Sequence, residues 1–464
     1  MGRLIKYLGL VLGLSLCNGI AQGQDLFTIL QLALDNDPTL KQAEATYRSN
    51  RELMIQSRSS LLPSLGTNAR TARLTSGPSD ETFRETLNPL TGELVSVRMP
   101  AHSFRPGLNN HGWGVSLNQS VLNLANWYTF QSARASNRAG QVSLAAQEQD
   151  LIMRVATAYF DVLRAQELLE TNLQEEAAAL RSLDQTRQRE EVGLVAITDV
   201  YDSQAAYDLA RNTTILQRDL LQARFEALEA ITGQTHKDID ELREDFPVIE
   251  VDGGLSEWEQ QAKNSSLAIA AAEFTLDASR KTLQARKSDH LPTIAFSGQF
   301  AHDVTAPIVN QGIQIGGGAF DRTALTLSVQ VPLFQGGALN SRRRQAEYDV
   351  LAARESLELT KRQLTQNIRN AYRRVNTDVL VIAQRQQSII SSQTALDATE
   401  LGAEVGTRNI VEVLLARQNL YRALRDYADA RFNYVLDSLI LKQVAGILTP
   451  QDVVELNQWL VAME

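Results

Sequence analysis

The stretch Leu151-Ile152-Met153-Arg154-Val155-Ala156-Thr157-Ala158-Tyr159-Phe160-Asp161-Val162-Leu163-Arg164-Ala165-Gln166-Glu167-Leu168-Leu169 decides the fold. Within it Leu151, Val155, Ala158, Val162, Ala165 and Leu169 are spaced 4, 3, 4, 3, 4. A repeat averaging 3.5 residues produces helices that wrap one another. The pattern returns 213 residues later at Leu364, Ile368, Ala371, Val375, Asp378 and Ile382, with one polar interruption. An ordinary solvated helical hairpin gives the same local pattern, so the surroundings have to decide.

Outward from these cores the chain offers nothing that stops a helix. No proline lies between Pro106 and Pro247, or between Pro332 and Pro450. Ala125 to Val192 holds one glycine, Gly140, and Ala338 to Leu401 holds none. Proline breaks a helix interior and glycine weakens it, so both stretches can run as single helices. Some 65 to 70 residues at 1.5 Å each make about 100 Å of helix, far beyond the globular average.

The 213-residue shift aligns more than the cores. Ala158-Tyr159 falls on Ala371-Tyr372, Val192-Gly193 on Val405-Gly406, and Ile231-Thr232-Gly233 on Val444-Ala445-Gly446. With a drift in register, Leu62-Pro63-Ser64-Leu65 matches Leu291-Pro292-Thr293-Ile294. The chain therefore reads as two copies of one unit. The first spans 24–233, with a helix, a strand pair within 63–122, a long helix 125–192 and a helix 198–231. The second spans 254–446, with a helix, a strand pair within 292–334, a long helix 338–405 and a helix 410–444. A polar, acidic connector, 234–253, joins them, and 447–464 is a C-terminal segment.

The strand pairs alternate. Leu325, Leu327, Val329, Val331 and Leu333 interleave with Thr326, Ser328 and Gln330, and Ile294, Phe296 and Phe300 with Ala295, Ser297 and Gln299. Trp113, Val115 and Leu117 do the same in the first copy, where Leu65 to Arg73 alternates weakly. A tilted membrane strand shows this pattern, and so does a half-buried soluble one. Two strands per copy make four per chain, too few to close a barrel. An open edge is not tolerated in lipid, so a membrane reading requires several chains to pool their strands. The segments between paired strands, Thr75 to Asn110 and Val304 to Asp321, read as turn-rich surface loops.

The amino terminus supplies an address. Arg3 and Lys6 precede the apolar run Tyr7 to Ile20, and Ala21-Gln22-Gly23 offers small residues for cleavage, leaving Gln24 first. Cys17 is the single cysteine, and Leu16 before it is a poor match to a lipidation signal. Removal of 1–23 leaves no disulfide or thiolate chemistry and takes the net charge from −9 to −11, which argues against nucleic acid as a partner. No later segment has the 18 to 20 apolar residues of a membrane-spanning helix.

Taken together these features resemble the TolC family of outer-membrane efflux and secretion ducts. The resemblance runs from about Asp25 to Leu460 and rests on both copies of the repeat, on Val331-Pro332-Leu333-Phe334-Gln335-Gly336-Gly337, and above all on Val405-Gly406-Thr407-Arg408-Asn409-Ile410-Val411-Glu412-Val413-Leu414. Asn433-Tyr434 to Gly446 and Leu448-Thr449-Pro450-Gln451-Asp452 extend it. The resemblance implies a mixed α and β membrane protein. In that fold three chains form a 12-stranded β-barrel continuous with a periplasmic tunnel of coiled helices. It implies residence in the outer membrane of a Gram-negative bacterium, and a passive exit duct of a tripartite efflux pump or type I secretion system. Its partners would be outer-membrane lipid, a periplasmic adaptor (membrane fusion) protein, and an inner-membrane pump or ABC transporter.

The resemblance also carries site residues. The turns at Gly193 and Gly406 would be the periplasmic tips where the adaptor docks. Arg408 matches the family's linking arginine, Thr198 and Asp199 its partners, and Glu412 a residue of an acidic ring at the pore entrance. Ala403 stands where close relatives carry a linking tyrosine and Leu415 where a second acidic ring would be, which implies a weaker closed state. Without the resemblance, Asp199 reads as a helix cap and Glu412 as a solvated helix residue.

No catalytic constellation is apparent, and no cofactor or metal is called for. The histidines 102, 111, 236, 290 and 302 lack ligand spacing. Gly316-Gly317-Gly318 has no following Lys-Ser/Thr and reads as a loop. Arg342-Arg343-Arg344 reads as an interface or solvated cluster, and Trp127 and Tyr128 as candidates for an aromatic belt. The alternatives are a soluble periplasmic coiled-coil scaffold and, against the long helices, an autonomous porin.

Overall fold

The computed structural model describes residues 24–76, 80–99, 105–310 and 313–461. The expected signal segment with Arg3, Lys6 and Cys17, and also His102, lie outside the described residues. The chain divides into two units, and each draws on both sequence repeats. One comprises Ser49–Arg138 and Phe274–Arg354; the other comprises the chain up to Arg48, Ala139–Glu273, and everything from Glu355.

The first of these units is organised by an antiparallel sheet of β1 (Ser64–Ser76), β4 (Arg105–Leu122), β6 (Thr293–Thr305) and β9 (Gly318–Gln330), in the order β1-β4-β6-β9. Each repeat supplies one hairpin, and β4 pairs with β6 where the two repeats meet. The register sorts the faces. Leu117 opposes Gly298 and then Leu325, Val115 opposes Phe300, and Phe296 opposes Leu327, so the apolar residues share one face. Leu65, Leu325, Leu327 and Val329 stay 75, 72, 67 and 63 % exposed, a sheet face left open by the described residues. The other face carries Asn68, Ser116, Gln299 and Thr326. There Arg70 reaches across β4 to Asp303 at 2.9 Å, over Gly112, where any Cβ would overlap the Asp303 carboxylate. Edge strands β1 and β9 have no outer neighbour among the described residues.

Two expectations need correction here. The loops between paired strands contain hairpins: β2 (Thr82–Leu87) with β3 (Leu94–Met99), and β7 (Ile308–Asn310) with β8 (Ile313–Ile315). Pro89 sits in the turn of the first hairpin, so it does not interrupt the ladder. The single helix expected to open each repeat is also two helices. α1 (Leu26–Asn36) breaks at Asp37 before α2 (Pro38–Ser59), and α5 (Leu255–Ser265) breaks at Ser266 before α6 (Leu267–Ser288). Asp37 is driven out of helical geometry by the following proline. Its carboxylate then caps α2, accepting from the Leu40 amide at 2.8 Å. Ser266 Oγ does the same for the Ile269 amide at 3.3 Å.

The second unit is helical. It holds α4 (Ile197–Thr232) and α8 (Ile410–Val444) whole, together with α3 (Leu124–Glu191) from Ala139 onward and α7 (Ala338–Glu404) from Glu355 onward. Around Leu151–Ala165, α3 is buried on most of its circumference, and Tyr159 and Phe160 are fully enclosed. Phe160 packs near Phe432 of α8, and the Tyr159 hydroxyl donates to the Asp240 carbonyl at 2.7 Å. The connector is more than a polar surface link. Ile239 and His236 are buried in it, and β5 (Glu241–Leu242) pairs with β10 (Leu460–Val461), which follows α9 (Pro450–Asn457). Burial holds the His236 imidazole below its ordinary pKa.

The duplication survives in the packing, with an exchange of charge. Asp161 of α3 pairs with Arg224 of α4 at 3.4 Å. At the corresponding places Arg374 of α7 faces Asp437 of α8 at 3.8 Å. Where the first copy buries Ala165, the second has Asp378. The buried Oδ2 of Asp378 has no hydrogen-bond partner among the described residues. Burial first, and then Asp437, push the Asp378 carboxyl up to about 7. An unfolded aspartate titrates near 3.9. Between that value and about 7 the folded chain holds a proton the unfolded chain has released, so stability falls as pH rises through this window and is flat above it. Asp378→Asn is therefore expected to flatten the pH dependence and to gain on the order of 1 kcal/mol at pH 8, since the site is partly solvated. Melting curves of both proteins from pH 5 to 8 check this; parallel curves would refute it.

Candidate functional site at the helix tips

The two long helical hairpins, α3–α4 and α7–α8, each turn within a few residues. At the first turn the Leu194 amide returns to the Arg189 carbonyl at 2.8 Å, and at the second the Thr407 amide returns to the Gly402 carbonyl at 2.8 Å. Both are helix ends closed by a left-handed residue, Gly193 at φ 76° and Gly406 at φ 78°, which a side chain would strain. Val192, Leu194 and Val405 are among the exposed apolar residues around them.

The two tips differ in how the next helix starts. Asn409 caps α8 by accepting from the Glu412 amide at 2.9 Å, while the Glu412 carboxylate turns back to the Asn409 amide. This capping box is written in the local spacing Asn409-x-x-Glu412. The cap position of α4 is Ala196, which offers no side-chain acceptor. Asp199 is therefore not a cap. It lies in the first turn of α4, where a carboxylate favours the positive end of the helix dipole.

Arg408 turns back onto its own hairpin and donates to Glu412. Among the described residues it makes no hydrogen bond or ion pair with Thr198 or Asp199. Its hydrogen bond, then the Asn409 amide, hold Glu412 below the usual carboxylate range. Gly402 makes room for this arrangement, because a Cβ there would lie 2.7 Å from Arg408 Cγ. The sequence reading missed Gly402, since the turn of chain that folds Arg408 over it is not a local pattern. Ala403 packs against a cluster of Leu396, Val413 and Leu420, whereas Leu415 is exposed. No cluster of three or more His, Cys, Asp or Glu suited to a metal is found among the described residues.

The profile of the outer membrane efflux protein family matches residues 29–234 and 258–447. The outer membrane protein TolC of Vibrio cholerae is 32 % identical, over 94 % of this chain and 93 % of that protein. The outer membrane protein TolC of Escherichia coli is 30 % identical, over 97 % of this chain and 88 % of that protein. The crystal structure of the Campylobacter jejuni CmeC outer membrane channel superposes with a TM-score of 0.73 at 17 % identity, covering 94 % of this chain and 90 % of that one. The two matched segments take in both strand hairpins of the sheet and both helical tips, and on that ground the chain belongs to the outer membrane efflux protein family.

Proposed function

We propose that this protein is an outer-membrane exit duct in which three chains each lend one four-stranded sheet to a single barrel, with the long helices forming a periplasmic conduit. The observation that carries the reading is the sheet: two edges without an outer neighbour among the described residues, one apolar exposed face and one polar face, with too few strands to close a barrel. A lipid-facing barrel satisfies the apolar face, and pairing β9 of one chain with β1 of the next satisfies both edges.

The duct is passive, and its energy comes from an inner-membrane pump or ABC transporter joined to it by a periplasmic adaptor. The adaptor docks at the exposed tips around Gly193 and Gly406. Arg408, Thr198, Asp199 and Glu412 form the periplasmic gate, with Arg408 held by Glu412 of its own hairpin in this chain and Thr198 and Asp199 available to it in the assembled duct. Three copies of Glu412 at the entrance attract cations. The reading leaves the cargo open among a drug, a metal ion, a protein and a polysaccharide.

Edge pairing is directly testable, because removal of the signal would leave a cysteine-free background. Leu65→Cys in β1 combined in turn with Thr323→Cys, Leu325→Cys or Leu327→Cys in β9 is expected to give, at one register, an oxidised ladder ending at three chains. Absence of interchain bonds at every register would refute the pooled barrel.

A further inference from the structure

We infer that a three-residue ladder on α8, Arg417, Tyr421 and Arg425, is the latch that holds the second helical hairpin against the first, and that opening of the duct requires its release. The inference deepens the reading of the tips as a gate and rests on it. The three residues are spaced i, i+4, i+8 and so line one face of α8. They meet α3 in reverse order, as antiparallel helices must. Arg417 Nη1 donates to the Ala178 carbonyl at 3.1 Å, the Tyr421 hydroxyl to the Gln174 carbonyl at 3.2 Å, and Arg425 Nη1 to Asn172 Oδ1 at 3.0 Å and Glu175 Oε2 at 2.5 Å. Arg417 also donates to Glu400 of α7 at 2.7 Å, so one side chain ties three helices together.

Burial separates this ladder from Arg408. The Arg417 side chain is 16 % exposed and Glu175, the partner of Arg425, 15 %, whereas Arg408 is 59 % exposed and paired four residues away on its own hairpin. An exposed i,i+4 pair contributes little and links nothing distant. A charge-assisted bond partly shielded from water is stronger, and the Arg425–Glu175 pair, 27 and 15 % exposed, joins the two copies of the repeat.

The seam is also built to part. A groove of about 490 Å³ opens between Ser182 and Gln185 of α3 and Ala403 and Ile410 of the second hairpin. A second space of about 210 Å³ lies between Ala179, Leu209 and Leu414. Near the rungs, open space on both sides means that polar contacts do much of the holding, with less close packing to lose on separation. Two of the acceptors are backbone carbonyls that water can satisfy once the rungs break, so the stretch of α8 nearest its turn can part from α3 while Phe432 stays packed near Phe160.

The test uses the purified mature protein in planar bilayers. Arg417→Ala/Arg425→Ala is expected to raise resting single-channel conductance several-fold, while melting temperature and multichain migration stay near wild type; Arg417→Lys/Arg425→Lys is expected to restore much of the closed level. Because the double alanine change can weaken folding, a second variant works in the opposite direction. Gln174→Cys/Tyr421→Cys bridged by a short reducible bis-thiol linker is expected to hold the channel at its low level, with opening recovered on reduction. Conducting wild type with unchanged conductance in the alanine variant, or a bridged variant that opens normally, overturns the latch and leaves the duct standing. Wild type that does not conduct at all overturns the duct reading itself.

Discussion

Arg154→Ala is expected to be among the most destabilising single changes in the helical unit, costing about 3–5 kcal/mol. Asp37 sits at the joint between α1 and α2 with its side chain only 2 % exposed. Arg154 grips it with two bonds, Nη1 to Oδ1 at 3.1 Å and Nη2 to Oδ2 at 2.8 Å, and reaches Asp150 at 3.0 Å with Nε. The Arg154 hydrogen bonds are the first cause of the lowered Asp37 pKa. A lowered carboxylate pKa contributes stability above the unfolded value near 3.9 and loses it as pH falls through the folded one. Loss of the arginine leaves a buried carboxylate with only its capping bonds, which is costlier than losing the pair outright. Asp37→Asn/Arg154→Ala should therefore recover a substantial part of the loss, because no buried charge remains. Thermal melts of the three proteins at pH 7 decide it; a double variant no better than the single one would contradict the account.

Gly446→Ala is the second large effect, expected at about 2–4 kcal/mol. Gly446 follows α8 at φ 74°, where L side chains are strained. A Cβ there would also lie 2.5 Å from the Ser265 carbonyl oxygen and 2.8 Å from its carbon, at the joint between α5 and α6. Backbone has to shift to admit it. Gly233, its counterpart in the first repeat, has nearly the same φ of 71°, but its Cβ would meet only Asn36, at 3.6 Å. Gly233→Ala should cost only the conformational part, about 1–2 kcal/mol. The difference between these two matched variants measures the close approach alone, and equal losses would count against it.

Much of the architecture was legible because it depends on local pattern. Long proline-free runs with heptad spacing around Tyr159 and Tyr372 are helices because nothing in them stops one. Leu325 to Val329 alternates because one face of β9 is apolar. Gly193 and Gly406 end helices because each takes a left-handed conformation. The break at Asp37-Pro38 is equally local, set by its proline, and so is the Asn409-x-x-Glu412 box, set by its spacing.

What could not be read is pairing at a distance. The Arg417–Glu400 contact and the reach of Arg425 to Asn172 depend on which helix lies beside α8, and no window of sequence holds that information. The same holds for Arg408. Its motif is distinctive, but whether it turns toward Glu412 or toward Thr198 and Asp199 follows from the room left by Gly402. The charge exchange between Asp161–Arg224 and Arg374–Asp437 is written in the sequence, yet it becomes visible as a conserved contact only when the helices are placed together.

Reconstitution of the purified mature protein in a planar lipid bilayer tests the central claim most directly. The account predicts small, discrete, cation-selective conductance steps, with Glu412→Ala lowering the cation preference by removing negative potential at the entrance. Absence of conductance, together with protein that stays in solution without detergent, would contradict the duct and favour a soluble periplasmic scaffold.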